Sequence, residues 1–292
     1  MTIFDSDRHR SEQHFYSSVD DGFAYGDLVY HYTNADVFEM FLQDDADLYL
    51  THCRFLNDYS EFNLGLSCVW EYFKQRKFDE RVIARIFTRL KECTLDGSEL
   101  PWVMSFSGYN DSLYQWNSYT DVQNGGFAIG FERKKLEEIC EERLRRAGRD
   151  GIMPESLYFH TCHYLGVDDV DSALNFLFDH RNVDVTDECL LETIALMFCS
   201  MVKNKRFFFE NEMRLVAEYN IRNSAYDAMR IVGGKPRVAL GISRFGFKVR
   251  DLIKSVIVSP YGNRRNLYNL AVVLNKKYSG NFRIVTSQAP CV

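Results

Sequence analysis

The chain has little proline and no long apolar run, and each absence excludes a class of protein. Only five of its 292 residues are proline, and no Pro-, Gly- or Ser-rich linker divides it, which argues against a disordered or collagen-like chain. No apolar run approaches the roughly 20 residues that a membrane-spanning helix needs. Residues 1–21 are too polar for a signal peptide, so we expect a cytoplasmic protein that makes no membrane contact.

An excess of positive charge is also absent. Lys and Arg number 35 against 41 Asp and Glu, which gives a net charge of −6. Proteins that bind duplex nucleic acid over a broad surface are usually basic, so the charge argues against that class and leaves a local basic groove open. The run from Lys203 to Arg206 is one candidate for contact with a polyanion. The arginines between residues 143 and 149 are another, although a solvated helix face explains them as well.

Paired cysteines and the common catalytic motifs are missing too. The eight cysteines are scattered without a C-x-x-C pair, which indicates reduced thiols in a cytosolic protein. No G-x-x-x-x-G-K-[ST], G-x-G-x-x-G, H-E-x-x-H or G-x-S-x-G motif occurs, which disfavours P-loop NTPases, Rossmann dehydrogenases, zinc proteases and α/β-hydrolases. We interpret His160, Cys162 and His163 as core residues, because strand alternation points Cys162 and His163 to opposite faces rather than towards one metal ion.

Apolar periodicity predicts strands and helices that are mixed without regular alternation, which is typical of the α+β class. We interpret residues 1–26 as a loosely held polar arm and residues 27–292 as a single α+β domain with helical insertions, although the length alone also allows two domains. The predicted strands are 28–32, 48–50, 102–107, 126–131, 158–164, 213–219, 237–240, 253–258 and 282–285. The predicted helices are 34–42, 62–73, 82–90, 134–146, 172–178, 188–202 and 263–276.

Two candidate segments for function lie near the start of the chain. In Tyr30-His31-Tyr32-Thr33, at the end of a predicted strand, a neutral imidazole can donate or accept one hydrogen bond to a ligand. The alternative is a histidine packed between aromatic neighbours. In residues 55–61, Asn57 or Asp58 is expected to cap a helix, and Glu61 to complete a capping box or face the helix dipole.

A third candidate segment begins on the strand 102–107. Strand alternation places Ser105 and Ser107 on one face, and Trp116 or Tyr119 could hold the polar ring of a ligand against that strand. The alternative is that Trp116 is a core side chain.

The fourth candidate segment is the charged run from residue 203 to residue 215. If a strand begins near Glu210, then Glu210, Glu212 and Arg214 share one exposed face, while the alternate residues point to the core. Two neighbouring carboxylates repel each other unless Arg214 or the Lys203–Arg206 cluster compensates them. The alternative is a solvated row of ion pairs, worth about 0 to 1 kcal/mol.

Taken in order, these segments resemble a bacterial family called domain of unknown function 2971. The resemblance runs from Leu28 to about Tyr261 and rests on Y-H-Y-T, N-D-x-x-E, S-F-S with a following W-x-x-Y, and E-x-E-x-R. More distantly, a His on the first strand, a Ser or Tyr on a middle strand and a Glu entering a late strand are similar to the ADP-ribosyltransferase superfamily. The resemblance implies a split, mostly antiparallel sheet with inserted helices, and NAD as the substrate.

The same resemblance implies roles for individual residues. His31, with Tyr32 and Thr33 nearby, would hold the adenosine-side ribose of NAD. Glu212 would bind the nicotinamide ribose, and Glu210 would handle the acceptor. The residues implied at the nicotinamide end are Ser105, Ser107 and either Trp116 or Tyr119. Arg214 would make a further contact with NAD. The chain departs from the superfamily in two ways, since its middle motif is S-F-S rather than S-T-S and no tyrosine stands at an unambiguous middle position. The aromatic residue beside nicotinamide is therefore left unassigned.

The implied activity is that of an NAD-dependent ADP-ribosyltransferase or NAD glycohydrolase, acting as a bacterial toxin or antiviral defence effector. Its acceptor would be a protein, a nucleic acid or a small molecule, and an antitoxin or partner protein belongs to the same hypothesis. Two alternatives stay open. One is a non-catalytic sensor that binds a nucleotide, and the other is a metal-dependent nuclease built on His31, Asp58, Glu61 and Glu210.

We predict that His31→Ala mainly weakens the binding of NAD, because the substitution removes the hydrogen bond expected between the imidazole and the ribose. The KM for NAD should rise when nicotinamide release is measured over a range of NAD concentrations. An unaltered KM would contradict the role assigned to His31.

Overall fold

A computed structural model describes residues 19–56, 60–96, 100–145, 156–166, 170–179, 187–218, 229–232 and 234–290. Asn57 and Asp58, the arginines at 146 and 149, and residues 1–18 of the expected N-terminal arm lie outside the described residues. The described chain is mixed α+β, and its strand pairs are mostly antiparallel, which confirms the predicted class. In this part of the chain, no helix is both long and apolar enough to cross a membrane.

The strands alternate irregularly with helices along the chain. The strands are β1 (Leu28–Thr33), β2 (Tyr49–His52), β3 (Trp102–Ser107), β4 (Phe127–Glu132), β5 (Ser156–Thr161), β6 (His163–Leu165), β7 (Val202–Asn204), β8 (Glu212–Glu218), β9 (Met229–Val232), β10 (Lys235–Ala239), β11 (Ile253–Val258) and β12 (Arg283–Thr286). The α-helices are α1 (Ala35–Leu42), α2 (Glu61–Gln75), α3 (Glu80–Asp96), α4 (Leu113–Tyr119), α5 (Arg133–Arg145), α6 (Val170–Asp179), α7 (Glu188–Met201), α8 (Val249–Leu252) and α9 (Arg264–Lys277). Short 3-10 helices span Cys53–Phe55, Lys205–Glu210 and Ile242–Phe245.

Local sequence signals account for many of these bounds. The side chain of Asn34 accepts a hydrogen bond from the backbone N–H of Val37 at 3.0 Å, so it caps α1 as expected. The predicted strand 158–164 is divided into β5 and β6 at Cys162, whose backbone N–H donates to the carbonyl of Glu212 at 2.9 Å. β5 pairs antiparallel with β8, whereas β6 pairs in parallel with β7.

The chain forms two compact units, and the first comprises residues 1–46, 106–135 and 248–292. In this unit β1 pairs antiparallel with β4 along its whole length, β4 pairs antiparallel with β11, and β11 pairs in parallel with β12. The apolar cluster of this unit consists of Leu28, Tyr30, Tyr32, Trp116, Ala128, Ile257 and Ala289. The end of the expected loose arm is anchored here, because Val19 and Asp21 are buried and the hydroxyl of Tyr30 donates to Asp21.

The second unit comprises residues 47–105 and 136–247. Its helices α2, α3, α6 and α7 supply most of one large apolar cluster. Gly65 lets α2 approach α7 closely, because a Cβ atom at that position would lie 2.6 Å from the Cα of Cys199. Strand β2 pairs antiparallel with β3 and β10, and β10 continues antiparallel to β9.

We predict that Asp111→Asn destabilises the first unit by about 2 to 3 kcal/mol. The buried carboxylate accepts from Trp116 Nε1 at 2.7 Å, from the Ser287 hydroxyl at 2.6 Å, and from the backbone N–H groups of Gln288 and Ala289 at 2.7 and 3.0 Å. An amide group in either orientation leaves at least one of these buried N–H groups facing another donor. Urea denaturation measures the loss.

The matched control is Asp251→Asn on α8, where the aspartate side chain is 70% exposed. We expect its free energy of unfolding to stay within about 0.5 kcal/mol of the unsubstituted protein. Equal effects of the two substitutions would contradict a stabilising role for the buried hydrogen bonds of Asp111.

Candidate functional site

Five charged side chains are buried together in the second unit, and we call them the charged cluster. The side chains of Glu61, Lys203, Glu210 and Glu212 are each 5% exposed, and that of Arg214 is 2% exposed. Burial of so many charges is unusual, because each ion loses its hydration and stays charged only if counter-charges replace the water. The cluster is therefore the strongest candidate for a functional site in the second unit.

The carboxylates of Glu210 and Glu212 meet at the junction between a 3-10 helix and a strand. Glu210 ends the 3-10 helix Lys205–Glu210, and Glu212 begins β8. Asn211 between them has left-handed backbone angles of φ 44° and ψ 54°, a conformation that Asn tolerates better than most residues. The prediction that Glu210, Glu212 and Arg214 share an exposed strand face is therefore wrong in two respects. Glu210 precedes the strand, and all three side chains are buried.

Lys203 lies between the three carboxylates of the cluster. Its ammonium donates to the carboxylates of Glu210 and Glu212, and it lies 3.3 Å from Oε1 of Glu61. The ring of Phe207 lies 5.1 Å from the same nitrogen and encloses it further. Lys203 is thus a buried counter-charge and not part of an exposed basic patch, which corrects the expectation for the first residue of the Lys203–Arg206 run.

Arg214 lies two residues after Glu212 on β8 and binds two of the three carboxylates. Its Nε donates to Oε1 of Glu212 at 2.8 Å, and its Nη2 donates to Glu61. Its Nη1 donates to the backbone carbonyl of Ser200 near the end of α7 at 3.0 Å. Glu61 therefore does not complete a capping box at the start of α2, since its carboxylate is turned to Arg214 and Lys203.

The cluster contains three acids and two bases, and this imbalance separates the pKa values of Glu210 and Glu212. Burial alone would raise the pKa of Glu212, but the charges of Arg214 and Lys203 outweigh it and hold that pKa well below its usual range. Burial raises the pKa of Glu210 to about 7, even though Lys203 opposes the rise. Near neutral pH, Glu212 is therefore an anion while Glu210 exchanges a proton.

Three further side chains border the cluster from β5, β6 and the residue between them. The backbone N–H of Glu212 donates to the hydroxyl of Tyr164 at 2.7 Å, and burial raises the pKa of the Cys162 thiol. Burial and the charge of Arg214 lower the pKa of His160 to about 3, so its ring is neutral. Across the described ranges, no group of His, Cys, Asp and Glu side chains has the arrangement of a metal site.

The Tyr30–Thr33 segment belongs to β1 of the first unit. His31 is half-buried, and its ring meets the edges of Phe41 and Phe106 at centroid distances of 5.9 and 6.1 Å. The hydroxyl of Tyr32 donates to the carbonyl of Tyr109 at 2.9 Å and accepts from the N–H of Ser112 at 3.0 Å. Thr33 is buried as well. The hydroxyl of Tyr32 thus makes hydrogen bonds within the protein. His31 packs against aromatic rings, in agreement with the alternative interpretation of this segment.

The residues expected around nicotinamide differ in their accessibility. Trp116 is fully buried, with its Nε1 donating to Asp111 at 2.7 Å, which favours the interpretation of Trp116 as a core side chain. Tyr119 is 37% exposed and offers a face to solvent. Ser107 is buried and accepts from the N–H of Tyr109 at 3.1 Å, while Ser105 is half-buried and belongs to the second unit.

Among the residues proposed from sequence, the structure brings together Glu210, Glu212 and Arg214. Glu61 was named beside Glu210 in the nuclease alternative, but its ion pairs with Lys203 and Arg214 and the burial of Lys203 were not foreseen. One signal was available for Lys203, which lies two residues after the apolar end of α7, in the short strand β7 that begins with Val202, where a charged residue needs a partner. Nothing in the sequence places Glu61 beside Arg214, because 153 positions separate the two residues.

Comparisons with known proteins found no matching family model, no matching curated protein and no matching solved structure. The resemblance to the domain of unknown function 2971 family and to ADP-ribosyltransferases therefore stays a prediction that rests on the motifs.

We predict that Glu210→Gln removes a contribution to the free energy of unfolding that falls as the pH rises from about 4.5 to about 7. The lowered pKa of His160 contributes in the opposite direction over part of this range, so the effect is read as the difference between Glu210→Gln and the unsubstituted protein. A group whose pKa is raised on folding, here from 4.5 to about 7, stabilises the folded state below its unfolded pKa and loses that contribution as the pH rises through the folded value. The full change amounts to about 3 kcal/mol. Below pH 4.5 the lowered pKa of Glu212 affects stability in the opposite direction, because the stabilisation of the folded state by the Glu212 carboxylate is lost as the pH falls.

Urea denaturation between pH 4.5 and pH 8 measures the effect. The control is Glu71→Gln, which removes an exposed carboxylate 3.9 Å from Lys74 on α2 and should keep the slope of the unsubstituted protein. If Glu210→Gln keeps that slope as well, another group takes up the proton.

Proposed function

We propose that the protein is an NAD-consuming enzyme that transfers ADP-ribose to an acceptor or to water, with Glu212 and Glu210 as its catalytic pair. The proposal includes a split sheet of the ADP-ribosyltransferase type and action in the bacterial cytoplasm as a toxin or defence effector. It is supported by the motif order and by the electrostatics of the charged cluster.

The observation on which the proposal depends is that two neighbouring carboxyl groups are buried against Lys203 and Arg214, an arrangement that separates their pKa values. One carboxylate, Glu212, is held as a permanent anion by Arg214 and Lys203, while Glu210 exchanges its proton at about pH 7. Pairs of carboxyl groups with separated pKa values are the arrangement that glycosyl-transferring enzymes use to divide electrostatic and proton-transfer roles. A purely structural ion-pair network would gain nothing from an extra carboxyl group that titrates at neutral pH.

The chemistry assigns one role to each carboxyl group. As the bond between nicotinamide and ribose breaks, its electron pair leaves with nicotinamide and positive charge develops on the sugar, which the fixed anion of Glu212 stabilises. Glu210 accepts the proton of the attacking hydroxyl group while the new carbon–oxygen bond forms. Both carboxylates are only 5% exposed, so the cluster must open before a substrate can reach them. The short 3-10 helix that ends at Glu210 is the element whose movement would open it.

The first test is incubation of the purified protein with NAD and measurement of free nicotinamide. We predict that Glu212→Gln lowers turnover by about 100-fold or more, because the amide keeps the shape of the side chain and removes its charge. The substitution leaves two acids and two bases in the cluster, so we expect the variant to fold. Circular dichroism and the melting temperature check that it does.

The matched control is Glu218→Gln at the other end of β8, where the carboxylate accepts from the hydroxyls of Ser156 and Tyr158 instead of binding the cluster. Its turnover should equal that of the unsubstituted protein. Unchanged NAD consumption in a folded Glu212→Gln variant would overturn the proposal. NAD that raises the melting temperature without releasing nicotinamide would instead favour the non-catalytic sensor.

A further inference from the structure

Two cations bind the acids of the proposed catalytic pair, and one of these cations contacts both acids. Glu212 binds Arg214 through Oε1 and Lys203 through Oε2, so both of its oxygens face a cation. Glu210 binds the ammonium of Lys203 through Oε2. One lysine therefore links the two carboxylates, while the arginine belongs to Glu212 and Glu61.

We propose that Lys203 is a positioning residue that holds the two carboxylates of the catalytic pair together and sets the pH at which Glu210 becomes a base. The inference deepens the proposed function, since it gives that pair its regulation by pH. Lys203 does not react itself, and it acts through the carboxyl groups it binds.

The charges and titratable groups around Glu210 come from several elements of the second unit. They are Glu61 on α2, His160 on β5, Cys162 between β5 and β6, Tyr164 on β6, Lys203 on β7, and Glu212 and Arg214 on β8. Burial and the charges of Glu212 and Glu61 raise the pKa of Glu210, and Lys203 lowers it. Removal of the ammonium therefore shifts the titration of Glu210 upward, while removal of the Glu61 charge shifts it downward.

The lysine can be removed without unbalancing the cluster. Lys203→Met alone leaves three acids with one base, an imbalance that endangers the fold. The double variant Lys203→Met/Glu61→Gln leaves two acids and one base, which restores the net charge of the unsubstituted cluster. Comparison of the double variant with Glu61→Gln then isolates the effect of the lysine, because these two proteins differ at position 203 alone.

Two measurements follow the titration of Glu210 in these proteins. The first is the acid limb of the pH profile of nicotinamide release, which should move up by at least one pH unit in the double variant relative to Glu61→Gln. At the midpoint pH of the Glu61→Gln profile, a shift of one unit corresponds to about a fivefold loss of turnover, with recovery about two pH units higher. A merely structural lysine would lower turnover equally at every pH.

The second measurement needs no enzymatic activity. The infrared band of a protonated carboxyl group, assigned to Glu210 by its disappearance in Glu210→Gln, is followed between pH 5 and pH 10. We expect the band to persist to a higher pH in the double variant than in Glu61→Gln, and coincident titrations would overturn the role of Lys203. If the unsubstituted protein releases no nicotinamide, the proposed function fails, and the infrared titration still decides the inference about Lys203.

Discussion

The second unit depends on a requirement for charge balance, because five ionisable side chains are removed from water at one place. Each buried ion costs several kcal/mol unless counter-charges and hydrogen bonds replace its hydration. Arg214 and Lys203 supply that replacement, and their partners lie on α2, the 3-10 helix Lys205–Glu210 and β8. Segments that are far apart in the chain are thereby joined at a single point, so the loss of either base leaves carboxylates without a counter-charge and affects all of these segments.

The same requirement gives the cluster its chemical properties. Three acids share two bases, so one carboxyl group gives up its charge near neutral pH. That group is Glu210, whose pKa is raised, whereas Glu212 faces a cation on both of its oxygens and stays ionised. Buried ion pairs are by themselves weak support for stability, since apolar side chains of similar volume often serve as well. The extra acid is better explained by a need for proton exchange, which is how the proposed chemistry would use it.

Local interactions explain where the predictions from sequence were accurate. The bounds of β3 and β11 agree with the predicted strands 102–107 and 253–258, because each is a short, mostly apolar run that favours a buried strand. Asn34 and Asn263 cap α1 and α9 through contacts within three residues. The prediction for residues 210–214 was wrong because strand alternation assumes a continuous strand, and the left-handed Asn211 ends the 3-10 helix before β8 begins.

The sequence by itself determined the α+β class, most of the elements and the presence of a carboxylate pair beside an arginine, since these depend on periodicity and on neighbours within a few residues. The tertiary structure alone decided that this pair is buried, that Glu61 and Lys203 complete it, and that Trp116 lies in the core of the first unit. The physical reason is that the charge state of an acid depends on its hydration and on counter-charges from distant segments. Both are set by packing, and a local pattern of residues contains neither.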